Sequence, residues 1–363
     1  MLKDFEFSRQ DLTALLAEIE PADQGMMDEA GRRLDNKTKP RGSLGMLEDL
    51  ARRMCGIKRT LEPSAAKKII LTFAGDHGVT SEGVSYIPRE VTRQMVYNFL
   101  KGGAGVNVLA RHVGAEVRVV DVGVEGELEA PGLIRAKVKG GTANLARGPA
   151  MTGEEALAAV GVGVKTAGEA IRDGADILGT GDMGIGNTTP SAALFATLLG
   201  LGPEVVTGRG TGLDDSGMAR KIAVIKKGLE VNHSLISRGP LEALSAVGGF
   251  EIAAICGAVL ECARRKVPVV ADGFISSAGA LVALKMKKEV GDYCFFSHRS
   301  AEQGHRVILK EMGIKPILDL DMRLGEGTGA ALSMNIIEAG VKILLEMATF
   351  EEAGVTPGDE VDG

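Results

Sequence analysis

The sequence predicts an α/β fold, a mainly parallel sheet covered by helices on both faces. Three observations carry this. From residue 67 onward, short apolar runs rich in β-branched residues alternate with stretches of helical spacing. Those runs are continuously apolar rather than alternating, as strands buried on both faces are. The chain also has 50 glycines among 363 residues without a matching excess of proline, which suits many tight strand-to-helix turns.

The elements follow in order. No strand signal precedes residue 67. Residues 11–20 and 24–35 have helical spacing, and 44–58 forms a third helix after the Pro40-Arg41-Gly42-Ser43 turn. Strands are expected at 68–74, 117–122, 176–179, 205–207, 267–271, 293–296 and 316–320. Helices are expected between them, at 90–101, 153–173, 190–199, 216–234, 249–264, 277–286 and 300–312. The Gly-rich stretch 130–149 reads as an excursion from the sheet. A last helix, 328–347, can return to pack on the N-terminal helices.

Composition narrows the function classes. With 45% hydrophobic and 25% charged residues the balance is that of an ordinary globular chain. A net charge of -6 leaves no basic footprint for nucleic acid. The start Met1-Leu2-Lys3-Asp4-Phe5-Glu6 has acids where a signal peptide needs an apolar run, and the apolar stretches fall short of a membrane span. Cys55, Cys256, Cys262 and Cys294 form no C-x-x-C pair, and Cys256 and Cys262 read as small core residues of a helix. A soluble protein of the reducing cytoplasm is expected.

Ligands of open parallel sheets bind beyond the carboxyl ends of the strands. Here those ends are polar and glycine-rich: Gly75-Asp76-His77-Gly78, Gly181-Asp182-Met183-Gly184-Ile185-Gly186-Asn187-Thr188-Thr189, Asp272-Gly273-Phe274 and Ser297-His298-Arg299-Ser300. The fifth, Leu324-Gly325-Glu326-Gly327-Thr328-Gly329, follows what reads as the 316–320 strand. A lone Glu between glycines can act as a base held over a bound molecule; a solvated Glu in a turn is the alternative. Five such loops on one edge point to a site.

Two of these segments suit an anion. In 181–189, spaced glycines and two threonines lead into a helix start with Pro190, a setting for phosphate; a plain N-cap turn fits the same residues. Neither a P-loop nor a G-x-G-x-x-G fingerprint is present. A second run, Gly208-Arg209-Gly210-Thr211-Gly212, precedes a helix on which Lys221 can reach an anion or stand solvated. Asp76, His77, Asp272 and His298 can be gathered as metal ligands, as a metal-dependent phosphohydrolase would need. They lack H-E-x-x-H or paired-carboxylate spacing, and structural hydrogen bonding is the other reading. Residues 83–94 mix an aromatic, apolar groups and hydroxyls, suited to the wall of a flat aromatic-ligand pocket or to a surface loop. A non-catalytic nucleotide-binding regulator is the reading from outside enzymology.

With these motifs in order, the chain resembles the nicotinate-nucleotide–dimethylbenzimidazole phosphoribosyltransferase family. The resemblance runs through Ala74-Gly75-Asp76-His77-Gly78-Val79, Gly83-Val84-Ser85, the 181–189 loop, the 208–212 run, Ser297-His298-Arg299-Ser300-Ala301-Glu302 and the Glu326 loop, nearly the whole chain. It implies a Rossmann-like large domain at 63–334, a small helical domain from both termini (1–62 plus 335–363), and a homodimer. The implied reaction moves the phosphoribosyl group of nicotinate mononucleotide to 5,6-dimethylbenzimidazole for the lower ligand of cobalamin, with no cofactor and no metal. By motif, Glu326 matches the family's general base. Gly184, Gly186, Asn187 and Thr188 match its nucleotide phosphate site, with Lys221 as a cationic helper. Ser85, Tyr86 and Gln94 fall in the implied benzimidazole pocket, and Leu324 is a further implied substrate-binding residue. Asp182 departs from the family pattern, which has Glu near the ribose; Asp keeps the charge but draws it back by one methylene.

Overall fold

The computed structural model describes residues 6–210 and 212–356. The chain start from Met1 to Phe5, Thr211 of the second glycine-rich run, and residues 357–363 of the implied small domain lie outside the described residues. Six strands form one sheet: β1 Lys68–Gly75, β2 Ala115–Gly123, β3 Leu133–Arg135, β4 Ile177–Met183, β5 Val269–Ala271 and β6 Cys294–Phe296. All neighbours pair parallel, in the order β3-β2-β1-β4-β5-β6. The order turns back on itself between β1 and β4, so the crevice beyond their carboxyl ends is where such a sheet receives a ligand.

Every residue of β1 is buried, which is why its apolar pattern is continuous. Ile70 and Thr72 face the helix Thr328–Glu346 and the loop before it, whereas Gly75 faces Phe250 and Glu251 of the helix Phe250–Arg264. That second helix is buried almost throughout and touches the helix Gly153–Arg172 backbone to backbone. A Cβ on Gly163 would lie 1.8 Å from the Ala254 carbonyl oxygen, and one on Gly257 1.9 Å from that of Val160. Among the described residues, Thr328–Glu346 is the one helix long and apolar enough to cross a membrane; here its apolar side packs on β1, β4 and β5. The helices Gln24–Asp35 and Met46–Lys58 meet it around Ala30, Leu34, Ala51, Cys55 and Leu344. The first helix, Arg9–Ala17, instead sends Leu12 and Leu15 into the main core.

Several expectations are corrected. Residues 205–207 are not a strand; Pro203 sets the φ of a first turn and the helix Pro203–Val206 forms, its valines notwithstanding. Residues 316–320 make only one parallel bridge, Leu318 to His298, so the Glu326 loop does not end a strand. The 130–149 stretch contributes the edge strand β3. The helices Gly105–Val113 and Pro240–Val247 are additions to the expected set, and 300–312 shortens to His305–Glu311.

Candidate active site

Among the described residues, a group of buried carboxylates gathers around the ends of β4 and β5, close enough for the others' charges to act on Asp182. They are Asp182 on β4, Asp272 just past β5, Glu251 in the first turn of Phe250–Arg264, and Glu326 in the loop before Thr328–Glu346. Burial pushes the Asp182 carboxyl well above its usual range; the Asp272 charge adds to this, the Asn187 amide opposes it, and Glu251 and Glu326 add again.

Glu326 is fixed from three sides. Its carbonyl oxygen accepts the Thr72 hydroxyl at 2.9 Å, and its Oε2 accepts the Val106 N–H at 3.0 Å. Its backbone sits at φ 65°, between Gly325 at 82° and Gly327 at 106°. A non-glycine residue there costs on the order of 1 kcal/mol or more and persists only where its surroundings over-determine it. The close approach depends on Gly181, because a Cβ on that residue would lie 2.0 Å from the Glu326 carbonyl oxygen. Burial raises the Glu326 carboxyl, the Val106 amide works against this, and the Asp272 charge adds to it.

Asp272 secures the same loop. Its oxygens accept the N–H groups of Gly327 (3.1 Å) and Ala330 (2.9 Å), capping the helix from a distant strand end. Burial raises its carboxyl, with the His298 ring and the helix amides opposing. His298 Nδ1 lies 3.9 Å from Asp272 and 2.8 Å from the Ser297 hydroxyl. His77 Nε2 lies 2.8 Å from Glu251 Oε1, and Asp76 accepts the Glu125 N–H at 2.8 Å. Asp76, His77, Asp272 and His298 each make a side-chain hydrogen bond, while Asp76 Oδ1, His77 Nδ1 and His298 Nε2 are buried without a partner among the described residues. Among the described residues, no group of three or more His, Cys, Asp or Glu side chains is arranged to hold a metal ion.

The loop after β4 runs into the helix Thr188–Leu199. Asn187 donates to Asp182 at 2.8 Å, and Thr92 accepts the Ile185 N–H at 3.1 Å, pinning the loop to the helix Glu90–Leu100. Gly184 passes close to the Gly75 carbonyl, and Gly186 turns at φ 89°. Lys221, on the helix Asp215–Val231, is fully buried rather than solvated. Its Nζ donates to the Thr188 hydroxyl at 2.7 Å and to the Gly208 carbonyl at 3.0 Å, so the two glycine-rich runs meet over one cation. Burial lowers its pKa to about 8, against the Glu302 charge.

The pocket-wall residues are more open. Ser85 accepts the Ile87 N–H at 3.2 Å within its own turn. Tyr86 donates to Asp214, the N-cap of Asp215–Val231, at 2.8 Å. Gln94 and Leu324 are exposed, Leu324 beside Gly105 and so close to Glu326. No hydrogen bond joins Ser85, Tyr86 or Gln94 to Asp182 or Glu326 among the described residues. A cavity of about 600 Å³ lies apart from this chemistry, between Met46–Lys58 and β6 around Leu50, Arg53 and Phe295.

Two participants escape sequence reasoning. Glu251 is visible along the chain only as one acid opening an otherwise apolar helix. Glu302 falls within a motif but has no role there; its contact with the 208–210 loop depends on the fold alone.

A phosphoribosyltransferase family model matches residues 19–355. The chain is 60% identical over 349 residues to nicotinate-nucleotide–dimethylbenzimidazole phosphoribosyltransferase of Geobacter sulfurreducens, covering 96% of this chain and 99% of that one. It is 55% identical over 343 residues to the enzyme of the same name from Chlorobaculum tepidum, covering 94% and 97%. The crystal structure of that enzyme from Thermus thermophilus superposes with a TM-score of 0.88 at 48% identity, covering 93% of this chain and 100% of the other. The chain belongs to the nicotinate-nucleotide–dimethylbenzimidazole phosphoribosyltransferase family.

Proposed function

We propose that this chain transfers the phosphoribosyl group of nicotinate mononucleotide to 5,6-dimethylbenzimidazole, releasing nicotinate and forming α-ribazole 5′-phosphate for the cobalamin lower ligand. One benzimidazole nitrogen attacks the ribose C1′ as nicotinate leaves from the opposite face, so the configuration changes from β to α. The pyridinium is already a good leaving group. What the protein must add is alignment, stabilisation of positive charge at the ribose, and removal of the benzimidazole proton.

The observation that carries the reading is Glu326: a buried carboxylate at positive φ, aimed by the Val106 amide, with its affinity for a proton raised. Glu326 takes the N–H proton from the far ring nitrogen as its partner attacks, a role that speeds such steps by about 10²–10⁴-fold. Asp182 faces the developing ribose charge. A carboxylate deprived of solvent gains most when a positive charge arrives. Gly184, Gly186, Asn187, Thr188 and Lys221 hold the phosphate, and that remote binding energy positions C1′. Ser85, Tyr86, Gln94 and Leu324 line the base pocket.

The chain works as a cytoplasmic homodimer with the terminal helices as a second, smaller domain (1–62 plus 335–363) beside the 63–334 body. Four buried free thiols suit a reducing compartment. The small core shared by Gln24–Asp35, Met46–Lys58 and Thr328–Glu346 supports the division. Exposed Leu320 suits a self-association face. The test incubates the protein with both substrates and measures nicotinate and the α-riboside product; nicotinate riboside, lacking phosphate, should be a poor donor. Absence of base-dependent nicotinate release refutes the transferase, equal use of riboside refutes the phosphate site, and a monomer mass by light scattering refutes the dimer.

A further inference from the structure

We propose that Glu302 is an internal stand-in for the substrate phosphate: its carboxylate takes a backbone donor of the anion cradle, and the nucleotide must displace it to bind. The inference rests on the phosphate reading of Thr188 and Lys221. A fully buried ammonium whose hydrogen bonds go to a hydroxyl and a carbonyl needs an anion nearby, and Glu302 is the carboxylate whose charge acts on Lys221. Its Oε1 accepts the Gly210 N–H at 2.9 Å, the kind of backbone donor that glycine-rich loops offer to phosphates. The carboxylate reaches that donor only because residue 208 is glycine; a Cβ there would lie 2.1 Å from Oε1.

The backbone of Glu302 is anchored independently of its side chain. Its N–H donates to the Ser300 hydroxyl at 3.2 Å, and its carbonyl accepts the His305 N–H at 3.0 Å. Side-chain rotation alone can therefore vacate the cradle. A phosphate and a carboxylate cannot both take the Gly210 N–H beside one ammonium without strong like-charge repulsion, so one excludes the other. Such a competitor lowers the affinity of every ligand that uses the cradle by the same factor, the fraction of time the cradle stands open. A ligand without a phosphate does not sense it. Glu302 thereby offsets part of the buried lysine's charge between turnovers and weakens occupation by free phosphate.

The test uses the full-length enzyme with Glu302→Gln and Glu302→Ala. Three constants are measured: KM for nicotinate mononucleotide, the inhibition constant of inorganic phosphate, and KM for nicotinate riboside. The first two should fall together, by about five- to twentyfold, while the riboside constant stays put. The Gln variant keeps a neutral acceptor for the Gly210 amide, so loosening of the loop is separated from loss of the charge. Unchanged or raised nucleotide KM in both variants overturns the proposal, as does an equal shift for the riboside. Lys221→Met separates the two readings. If it weakens nucleotide and phosphate while the Glu302 variants tighten neither, only the displacement falls. If it changes neither, the phosphate site itself falls.

Discussion

Replacing Glu326 by Gln removes a proton acceptor while preserving nearly everything else. The amide is isosteric, its oxygen can still accept the Val106 N–H now held at 3.0 Å, and the φ of 65° is unaffected. The proposed phosphate cradle around Lys221 and Thr188 is built from other loops. KM for nicotinate mononucleotide should therefore stay within about twofold, and kcat should fall by about 10²–10⁴, equivalent to roughly 3–5 kcal/mol of transition-state stabilisation. Glu326→Asp draws the carboxylate back by about 1.5 Å, beyond reach of the Val106 amide, and should lose most of the same activity. Glu326→Gly should be inactive yet melt no lower than Glu326→Gln, since glycine relieves the left-handed backbone. The assay is chromatographic measurement of nicotinate and α-riboside under single-turnover conditions, so that product release does not mask chemistry. In the wild type, activity should climb with pH through the raised Glu326 pKa, and this limb should vanish in the Gln variant. Single-turnover rates for Glu326→Gln within about twofold of wild type would refute the base assignment.

Three further outcomes follow from the same geometry. Because burial lowers Lys221 to about 8, it loses its charge as pH rises through that value; kcat/KM for nicotinate mononucleotide should then decline, and Lys221→Arg, which does not titrate there, should abolish that limb. Gly181→Ala places a methyl against the Glu326 carbonyl oxygen and should cost at least about 1–3 kcal/mol in a denaturant melt while lowering kcat; unchanged values would show that the two loops are not in contact. The folded-state pKa of Asp182 lies above its unfolded value near 3.8, so its ionisation destabilises the fold increasingly as pH rises between the two. Asp182→Asn should thus melt higher than wild type at neutral pH, not at acid pH, while losing activity; equal melting temperatures at neutral pH count against the burial argument.

Much of the fold can be read from local pattern. The 24–35 helix forms as its spacing predicts, and the continuous apolar runs become parallel strands because both faces of the sheet are covered. The failures share one cause. Residues 205–207 and 316–320 have strand-like composition, but composition cannot say whether a neighbour with free hydrogen-bonding groups lies alongside. For the same reason β3 hides in a glycine-rich stretch: three residues at a sheet edge need little apolar pattern.

In the site the division is similar. Glycine spacing, a helix start and a glycine-flanked Glu are all visible along the chain, since turns and close approaches demand particular residue types locally. The charge states are not. Lys221 reads equally as a surface lysine until its helix packs it against Thr188 and the 208–210 loop. Glu302 and Glu251 have no assignable role until folding brings one to Gly210 and the other to His77. By itself, then, the sequence determined which chemical groups stand at the strand ends. The tertiary structure alone decided which are buried together, and therefore how strongly each holds a proton, because desolvation and charge–charge coupling depend on distance in space rather than along the chain.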